Sequence, residues 1–375
     1  MKVLQIIPNI SGGGAERFIV DLSNELLKEH SVSLVTLYKQ NEDDIFRKDL
    51  SDGVTTYTVN KKLGVDLTIP FRLLKLIKKI NPDVIHNHLR SVNYLLPIIP
   101  FLGKIPIVHT IHNDAFKECP NARLRGIRRL FFIRRKIIPV AISGESLESF
   151  LMAYGKVEPI LIRNGRSLPL PSAQIETVYK EIESYKKDEQ TRVIVNIGRL
   201  IPQKNQVMLV NAFKKLVKEF DVNATLIIIG GERNTIESEE IVRDLKIAER
   251  EMGNIHILGE KPNATDYLFA ADYFCLPSIY EGMPITLIEA MAIGAIPICT
   301  AVGGIPEMIS PLGDKLLFKE ISANEMCNRL KTIILESDDW HQIIKESAKK
   351  RFLKEYGIEK CAYEYNALYH KLYIA

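Results

Sequence analysis

The sequence predicts an α/β protein of two doubly wound, Rossmann-like domains in series, and three observations carry that expectation. Short continuous apolar runs alternate with amphipathic segments along most of the chain, as in parallel strands buried on both faces and the helices that cross between them. The alternation pauses after residue 168 and restarts at 192. A chain of 375 residues also exceeds one ordinary hydrophobic core.

Taken in order, residues 3–8 form the first apolar run, followed by Asn9-Ile-Ser-Gly-Gly-Gly14, an amphipathic helix over 15–28 and a strand over 31–38, which together make a βαβ unit. The glycines do not follow Gly-x-Gly-x-x-Gly, and no acidic residue clearly ends the second strand, so the signature of a dinucleotide site is incomplete. The glycine triplet fits a tight turn, or a loop free of side chains where backbone can approach a ligand. A helix over 68–80, a strand over 83–88, an apolar helix over 90–102 and a strand over 106–112 come next. Then follow a basic helix over 122–135, a strand over 138–142, a helix over 145–154 and a strand over 159–162. Asn164-Gly165 marks a turn, closing an N-terminal domain over 1–168.

Residues 169–190 are polar, lack apolar periodicity and read as a linker region. The second domain, over 191–354, contains strands at 192–197, 224–229, 254–258, 273–277 and 296–300, with helices at 206–219, 235–252 and 284–293. Residues 340–375 read as helical. Two doubly wound domains in series are expected to leave a cleft at their facing strand C-termini, where ligands of such sheets bind.

Composition excludes several classes. Five scattered cysteines without paired spacing indicate neither a disulfide framework nor a zinc site, and point to a reducing compartment. The opening MKVLQIIPNI lacks the apolar run of a signal peptide, and the apolar stretch 95–108 is interrupted by Pro97, Pro100 and Pro106. The expectation is a cytoplasmic protein. Residues 1–168 hold 25 Lys and Arg against 16 Asp and Glu, a surplus of nine positive charges, whereas the remainder is net negative by five. The N-terminal half therefore faces something anionic.

The chemistry concentrates in residues 272–307: a strand, a short polar loop, a helix and a second strand. Pro284 suits a first helical position because its φ is fixed and its missing N–H would be unpaired anyway. The amides of Ile285 and Thr286 are then free at a helix N-terminus, where the dipole favours phosphate. Glu281 lies just before this helix and Glu289 eight residues on within it. One carboxylate can take sugar hydroxyls, and the other can reach toward a ribose. On the loop after 192–197, Arg199 and Lys204 can neutralise a diphosphate leaving group, Arg as a planar fork and Lys as a point charge. The bland alternatives are two solvated glutamates and an ordinary charged loop.

The run Glu281-Gly282-Met283-Pro284, with Glu289 five residues on, Gly294 beyond it and Val302-Gly-Gly-Ile-Pro-Glu307 after that, resembles the Glu-x7-Glu donor site of family 4 retaining glycosyltransferases. The Gly198-Arg199 and Lys204 arrangement resembles the same family's diphosphate motif. The resemblance spans essentially the whole chain. It implies the GT-B fold, with the last helix, about 355–375, crossing back to the first domain. It implies sugar transfer from a nucleotide-sugar, a UDP-sugar before others, with retention of configuration, by same-face attack in which the leaving phosphate accepts the acceptor's proton. It implies no metal and no other cofactor. Gly13 and Gly14 would face the donor diphosphate, and His112, in a His-Asx pair at a strand end, would contact the donor sugar near its reacting carbon. A sugar-nucleotide epimerase of the same fold, or a catalytically silent scaffold, are the rival readings.

Two further features bear on partners. His86, His88, His109 and His112 gather at strand ends, but no cysteine or well-spaced carboxylate completes a metal site. His109 and His112 are three apart, so on a regular strand they face opposite sides. Residues 123–136 carry seven basic groups and no acid, with apolar residues at helical spacing, and 71–80 repeat the pattern. A basic amphipathic helix reads as an element that docks on an anionic membrane surface, which a glycan or lipid-linked acceptor would explain. A solvated face over the core is its alternative, and no nucleic-acid module is recognisable.

Overall fold

The structure is a computed structural model and describes residues 1–375 except 40–43, 63, 65 and 375. The chain divides into two compact units, one over 1–167 with 355–375 and the other over 168–354.

Unit 1 is built on a seven-stranded sheet. Its elements are β1 (Lys2–Ile7), α1 (Gly14–Leu26), β2 (Ser31–Thr36), β3 (Thr55–Thr58), α2 (Ile69–Ile80), β4 (Val84–His88), α3 (Val92–Leu95), β5 (Ile107–Ile111), α4 (Ala115–Glu118), α5 (Ala122–Ile133), β6 (Ile138–Ala141), α6 (Gly144–Tyr154) and β7 (Ile160–Leu161). The order β3-β2-β1-β4-β5-β6-β7 is parallel throughout, and its direction of winding reverses between β1 and β4. Every described residue of β4 and β5 is buried, because crossover helices cover both faces. The apolar helix expected over 90–102 is instead α3 followed by a 3₁₀ segment over Leu96–Phe101. Pro97 and Pro100 remove the amide donors that a continuous α-helix would use.

Unit 2 opens with α7 (Ile175–Tyr185), a helix absent from the sequence expectation for 169–190. Only Val178 and Ile182 of α7 are buried, so one short apolar ridge suffices to seat it. There follow β8 (Arg192–Ile197), α8 (Gln206–Phe220), β9 (Ala224–Ile229), α9 (Ile236–Met252), β10 (Ile255–Gly259), α10 (Asp266–Phe269), β11 (Tyr273–Leu276), α11 (Ile285–Ile293), β12 (Ile296–Thr300), α12 (Ile305–Ile309), β13 (Leu317–Phe318), α13 (Ala323–Ile334) and α14 (Asp338–Arg351). The parallel order is β10-β9-β8-β11-β12-β13, so this sheet reverses between β8 and β11. Residues 352–356 form a π-helical turn, and α15 (Ile358–Ile374) then belongs to unit 1.

The return of α15 is held by specific contacts within unit 1. Arg166 and Gly357 form a parallel bridge, and α15 packs along α1. Tyr365 and Tyr369 are fully buried, and their hydroxyls bond Thr110 and His86 at 2.7 and 2.6 Å. A buried tyrosine needs such a partner, since an unpaired hydroxyl in the core costs about 1–3 kcal/mol.

Candidate active site

In unit 2 the chemistry gathers where the sheet reverses. The loops leaving β8 and β11 lie side by side there, the position at which open α/β sheets bind ligands. Lys204 ends a 3₁₀ turn over Pro202–Lys204, and its Nζ donates to Glu281 Oε1 at 2.6 Å. The same oxygen accepts from Ser278 Oγ at 2.6 Å. Both partners are largely withdrawn from water, with Glu281 9% exposed. Two backbone-directed bonds tie the loops: Ile279 N donates to Gln203 O at 2.8 Å, and Gln203 Nε2 donates to Tyr280 O at 2.9 Å. Gln206 Nε2 donates to the carbonyls of Gly198 and Arg199, fixing the first loop from the start of α8. The Arg199 side chain is exposed and forms no ion pair among the described residues.

The helix beyond this pair begins one residue later than its proline suggests. Pro284 is the N-cap, with φ −71° and ψ 123°, so Ile285 and Thr286 occupy the first two helical positions. Their amides belong to the first turn, which has no intrahelical acceptors. Gly282, Met283 and Pro284 are buried in the loop, and Glu289 is buried on α11, 6% exposed.

A third loop, after β12, clamps the second. Gly304 N donates to Gly282 O at 2.8 Å, and Gly303 sits at φ +60°. A Cβ on Gly303 would lie 1.9 Å from Glu281 O. Gly303→Ala therefore meets both an unfavourable backbone region and a direct clash, at a combined cost of at least about 2 kcal/mol. Urea unfolding of this variant should show that loss as a lower midpoint than in the wild type, and an unchanged midpoint would remove Gly303 from the support of the Glu281 loop.

Unit 1 places Gly13, Gly14 and His112 at the C-terminal ends of its own strands. Gly13 is the N-cap of α1 with φ +155°, and Gly14 is its first residue. His112 follows β5 and is half-buried; its Nε2 lies 2.9 Å from His88 Nδ1, while its buried Nδ1 has no hydrogen-bond partner among the described residues. Burial, partly offset by the Glu118 carboxylate, holds the imidazole pKa down at about 4, so it is neutral at pH 7. His86 and His88, which are fully buried, are also held well below the usual histidine value, by loss of hydration and by their neighbouring histidines.

His109 faces the other side of the sheet, stacking on Phe132 and meeting Glu118 Oε1 at 2.9 Å. Burial opposes ionisation of Glu118, but His109 and Arg128 together hold its carboxyl at about 2. Arg128 is 1% exposed, donating to Glu118 at 3.3 Å and to Asn93 at 2.8 Å. It must therefore be removed from the basic surface read over 123–136, because a buried carboxylate claims it. Ser278, Gln203 and Gln206 were not singled out by sequence; none carries a signal apart from its nearness to Glu281 or Lys204.

Comparison with known proteins gives the family and the fold. Residues 12–159 match Glycosyltransferase Family 4, and residues 178–351 match Glycosyl transferases group 1. The capsular polysaccharide biosynthesis glycosyltransferase CapH of Staphylococcus aureus is 31% identical over 301 residues, 77% of this chain and 78% of its own. An α-1,4-N-acetyl-D-galactosaminyltransferase of Campylobacter jejuni, acting on a diphosphate-undecaprenol-linked glycan, is 25% identical over 94% of this chain and 93% of its own. Anabaena HepE, solved with UDP and glucose, superposes with a TM-score of 0.81 at 17% identity, covering 99% of this chain and 100% of its own. That likeness concerns the fold, which is GT-B. With both halves matched and a relative of this identity along most of its length, the chain belongs to the family 4 glycosyltransferases.

Proposed function

We propose that this glycosyltransferase moves a hexosyl or N-acetylhexosaminyl group from a UDP-sugar to a glycan or lipid-linked acceptor in surface polysaccharide or glycoconjugate assembly, with retention of configuration. The carrying observation is the Lys204–Glu281 pair at the reversal point of unit 2, next to exposed Arg199 and the first turn of α11. Lys204, with Arg199 on the same loop and the first turn of α11 following Glu281, would stabilise the charge a diphosphate leaving group gains, and stabilisation placed there accelerates the step. Arg199, Lys204 and the amides of Ile285 and Thr286 take the diphosphate, Gly13 and Gly14 leave room for its approach, and Gly282 and Met283 carry the loop. Glu281 takes the sugar hydroxyls, Glu289 the ribose, and His112 the sugar near its reacting carbon. Glu281 already accepts two hydrogen bonds, which suits a binding group better than a nucleophile. The leaving phosphate then accepts the acceptor's proton, and the reaction needs no metal. The relatives' names support the acceptor class, and the HepE complex supports UDP.

The discriminating experiment incubates the protein with a panel of nucleotide-sugars, with and without membrane extract. Acceptor-dependent UDP release with an axial product linkage is expected. An isomerised donor without acceptor would favour an epimerase, and no turnover a scaffold.

The membrane part of the proposal draws on α5. Ile127, Leu130 and Ile133, spaced three apart, are each about half exposed, and Arg123, Arg134, Arg135 and Lys136 are exposed with them. An apolar row flanked by cations suits an anionic leaflet; among the described residues no helix is long and apolar enough to cross a membrane. Changing Arg134, Arg135 and Lys136 together to Gln should weaken sedimentation with anionic vesicles by up to about 3 kcal/mol, at about 1 kcal/mol per charge. High salt should mimic the change. Equal sedimentation of variant and wild type would overturn the docking face.

A further inference from the structure

Three adjacent strands of unit 1 carry a chain of polar side chains that ends on His112. Gln5 lies on β1, His88 ends β4 and His112 follows β5, in the sheet order β1-β4-β5. Gln5 Oε1 is 2.9 Å from His88 Nε2, and His88 Nδ1 is 2.9 Å from His112 Nε2. A carbonyl oxygen only accepts, so it sets the direction of every proton after it. His88 must donate from Nε2, its Nδ1 must accept, and His112 must donate from Nε2. The His112 Nδ1 lone pair is then left without a partner, as observed.

The Gln5 amide nitrogen is itself buried without a hydrogen-bond partner among the described residues. A second branch joins the Tyr369 hydroxyl to His86 Nδ1 at 2.6 Å, His86 Nε2 to Thr110 Oγ1 at 2.7 Å, and Thr110 Oγ1 to the Tyr365 hydroxyl at 2.7 Å. Reversing the Gln5 amide would turn round every bond of the chain and move the His112 proton to Nδ1, so the tautomer of His112 distinguishes the two orientations.

We propose that Gln5 and His88 are positioning residues for His112: they hold it as the Nε2–H tautomer, so that Nδ1 accepts a hydrogen bond from a ligand hydroxyl. This rests on the reading that His112 meets the donor sugar, and deepens it. A sugar hydroxyl can satisfy that lone pair; a phosphate oxygen cannot. His112 is also thereby unsuited to act as a proton donor, and its depressed basicity keeps it neutral through the physiological range.

The test is nitrogen NMR of the full chain labelled with ¹⁵N-histidine, His112 being assigned through His112→Gln. In the wild type, between pH 6 and 8, Nε2 should carry the proton and Nδ1 none. Gln5→Glu keeps an acceptor for His88 and should preserve that pattern; Gln5→Met removes it and should give mixed tautomers. His88→Phe, which keeps a ring and removes both nitrogens, serves in place of Gln5→Met should that variant not fold. Protonated Nδ1 in the wild type, or an unchanged pattern in Gln5→Met or His88→Phe, would overturn the relay. UDP and UDP-glucose are then added separately. A shift of His112 Nδ1 with UDP-glucose but not with UDP supports the hydroxyl contact. With the tautomer as stated and no shift with either probe, the relay stands and the assignment of His112 to the sugar fails. With a donor the wild type turns over, Gln5→Met should lower kcat/KM roughly two- to tenfold, Gln5→Glu should restore it, and the Kd for UDP should not change.

Discussion

Lys204→Ala is expected to destabilise unit 2 by about 3–5 kcal/mol and, in the same variant, to weaken UDP binding strongly. Glu281 is 9% exposed and takes its two hydrogen bonds from Lys204 and Ser278. Without the ammonium a nearly buried carboxylate keeps one neutral donor, and it is the uncompensated charge that costs most. Combining Lys204→Ala with Glu281→Gln removes both charges and should restore much of the stability, but not the UDP affinity, because the diphosphate still lacks its cation. Glu281→Gln alone should behave in a third way. Lys204 is left for the diphosphate, so UDP should bind nearly as well and recover lost stability by mass action. Turnover should fall roughly ten- to a hundredfold, as for a hydrogen bond from a charged group worth about 1.5–3 kcal/mol. Urea unfolding with and without UDP, calorimetric titration and a turnover assay separate the three. Wild-type UDP affinity in Lys204→Ala would remove that residue from the diphosphate site.

The second large effect is on pH. His86, His88 and His112 all titrate below the ordinary histidine value in the folded chain, chiefly because burial withholds water from the charged ring. Below about pH 6.5 the unfolded chain therefore binds protons that the folded chain refuses. Stability is full above that pH and is lost as pH falls through 6.5 toward the folded values. With a folded pKa of about 4, His112 alone accounts for about 2 kcal/mol at pH 5. His86 and His88 add to it with the same sign. Glu118 titrates elsewhere: with its carboxyl held at about 2, its contribution is present above about 4.5 and fades only below that. Urea midpoints at pH 7.5, 6 and 5 should therefore fall steadily before Glu118 is protonated. A flat profile over that interval would show that the cluster is charged or hydrated in solution.

The alternation of strands and helices was legible because buried parallel strands must be apolar and their crossovers amphipathic. The residues proposed for the donor could be named from sequence because phosphate and hydroxyl recognition needs charged groups in turns after strands, and the structure puts Lys204 and Glu281 of two such turns 2.6 Å apart. Where sequence failed, the deciding partner lay far along the chain or was ordinary. Arg128 belongs to a basic run, but Asn93 and Glu118 draw it inside. Helix α7 announces itself with only two buried residues. Ser278 is one serine among many until it stands 2.6 Å from Glu281. His112 could be placed at a strand end, but the orientation of its ring follows from Gln5, 107 positions earlier.

The return of α15 has a consequence for synthesis. Unit 1 owns both the first and the last segments of the chain, with all of unit 2 threaded between them. While the ribosome is still producing residues 168–354, the sheet of unit 1 exists without Tyr365 and Tyr369, and His86 and Thr110 lack their core partners. The later-made unit can thus close before the earlier one is finished. Chains ending at residue 354 and held on the ribosome by a linker longer than the exit tunnel should show a protease-resistant unit 2 and a still cleavable unit 1, whereas chains that carry α15 ahead of that linker should resist in both. Resistance of unit 1 in chains stalled before residue 168 would show that its sheet is complete without that helix.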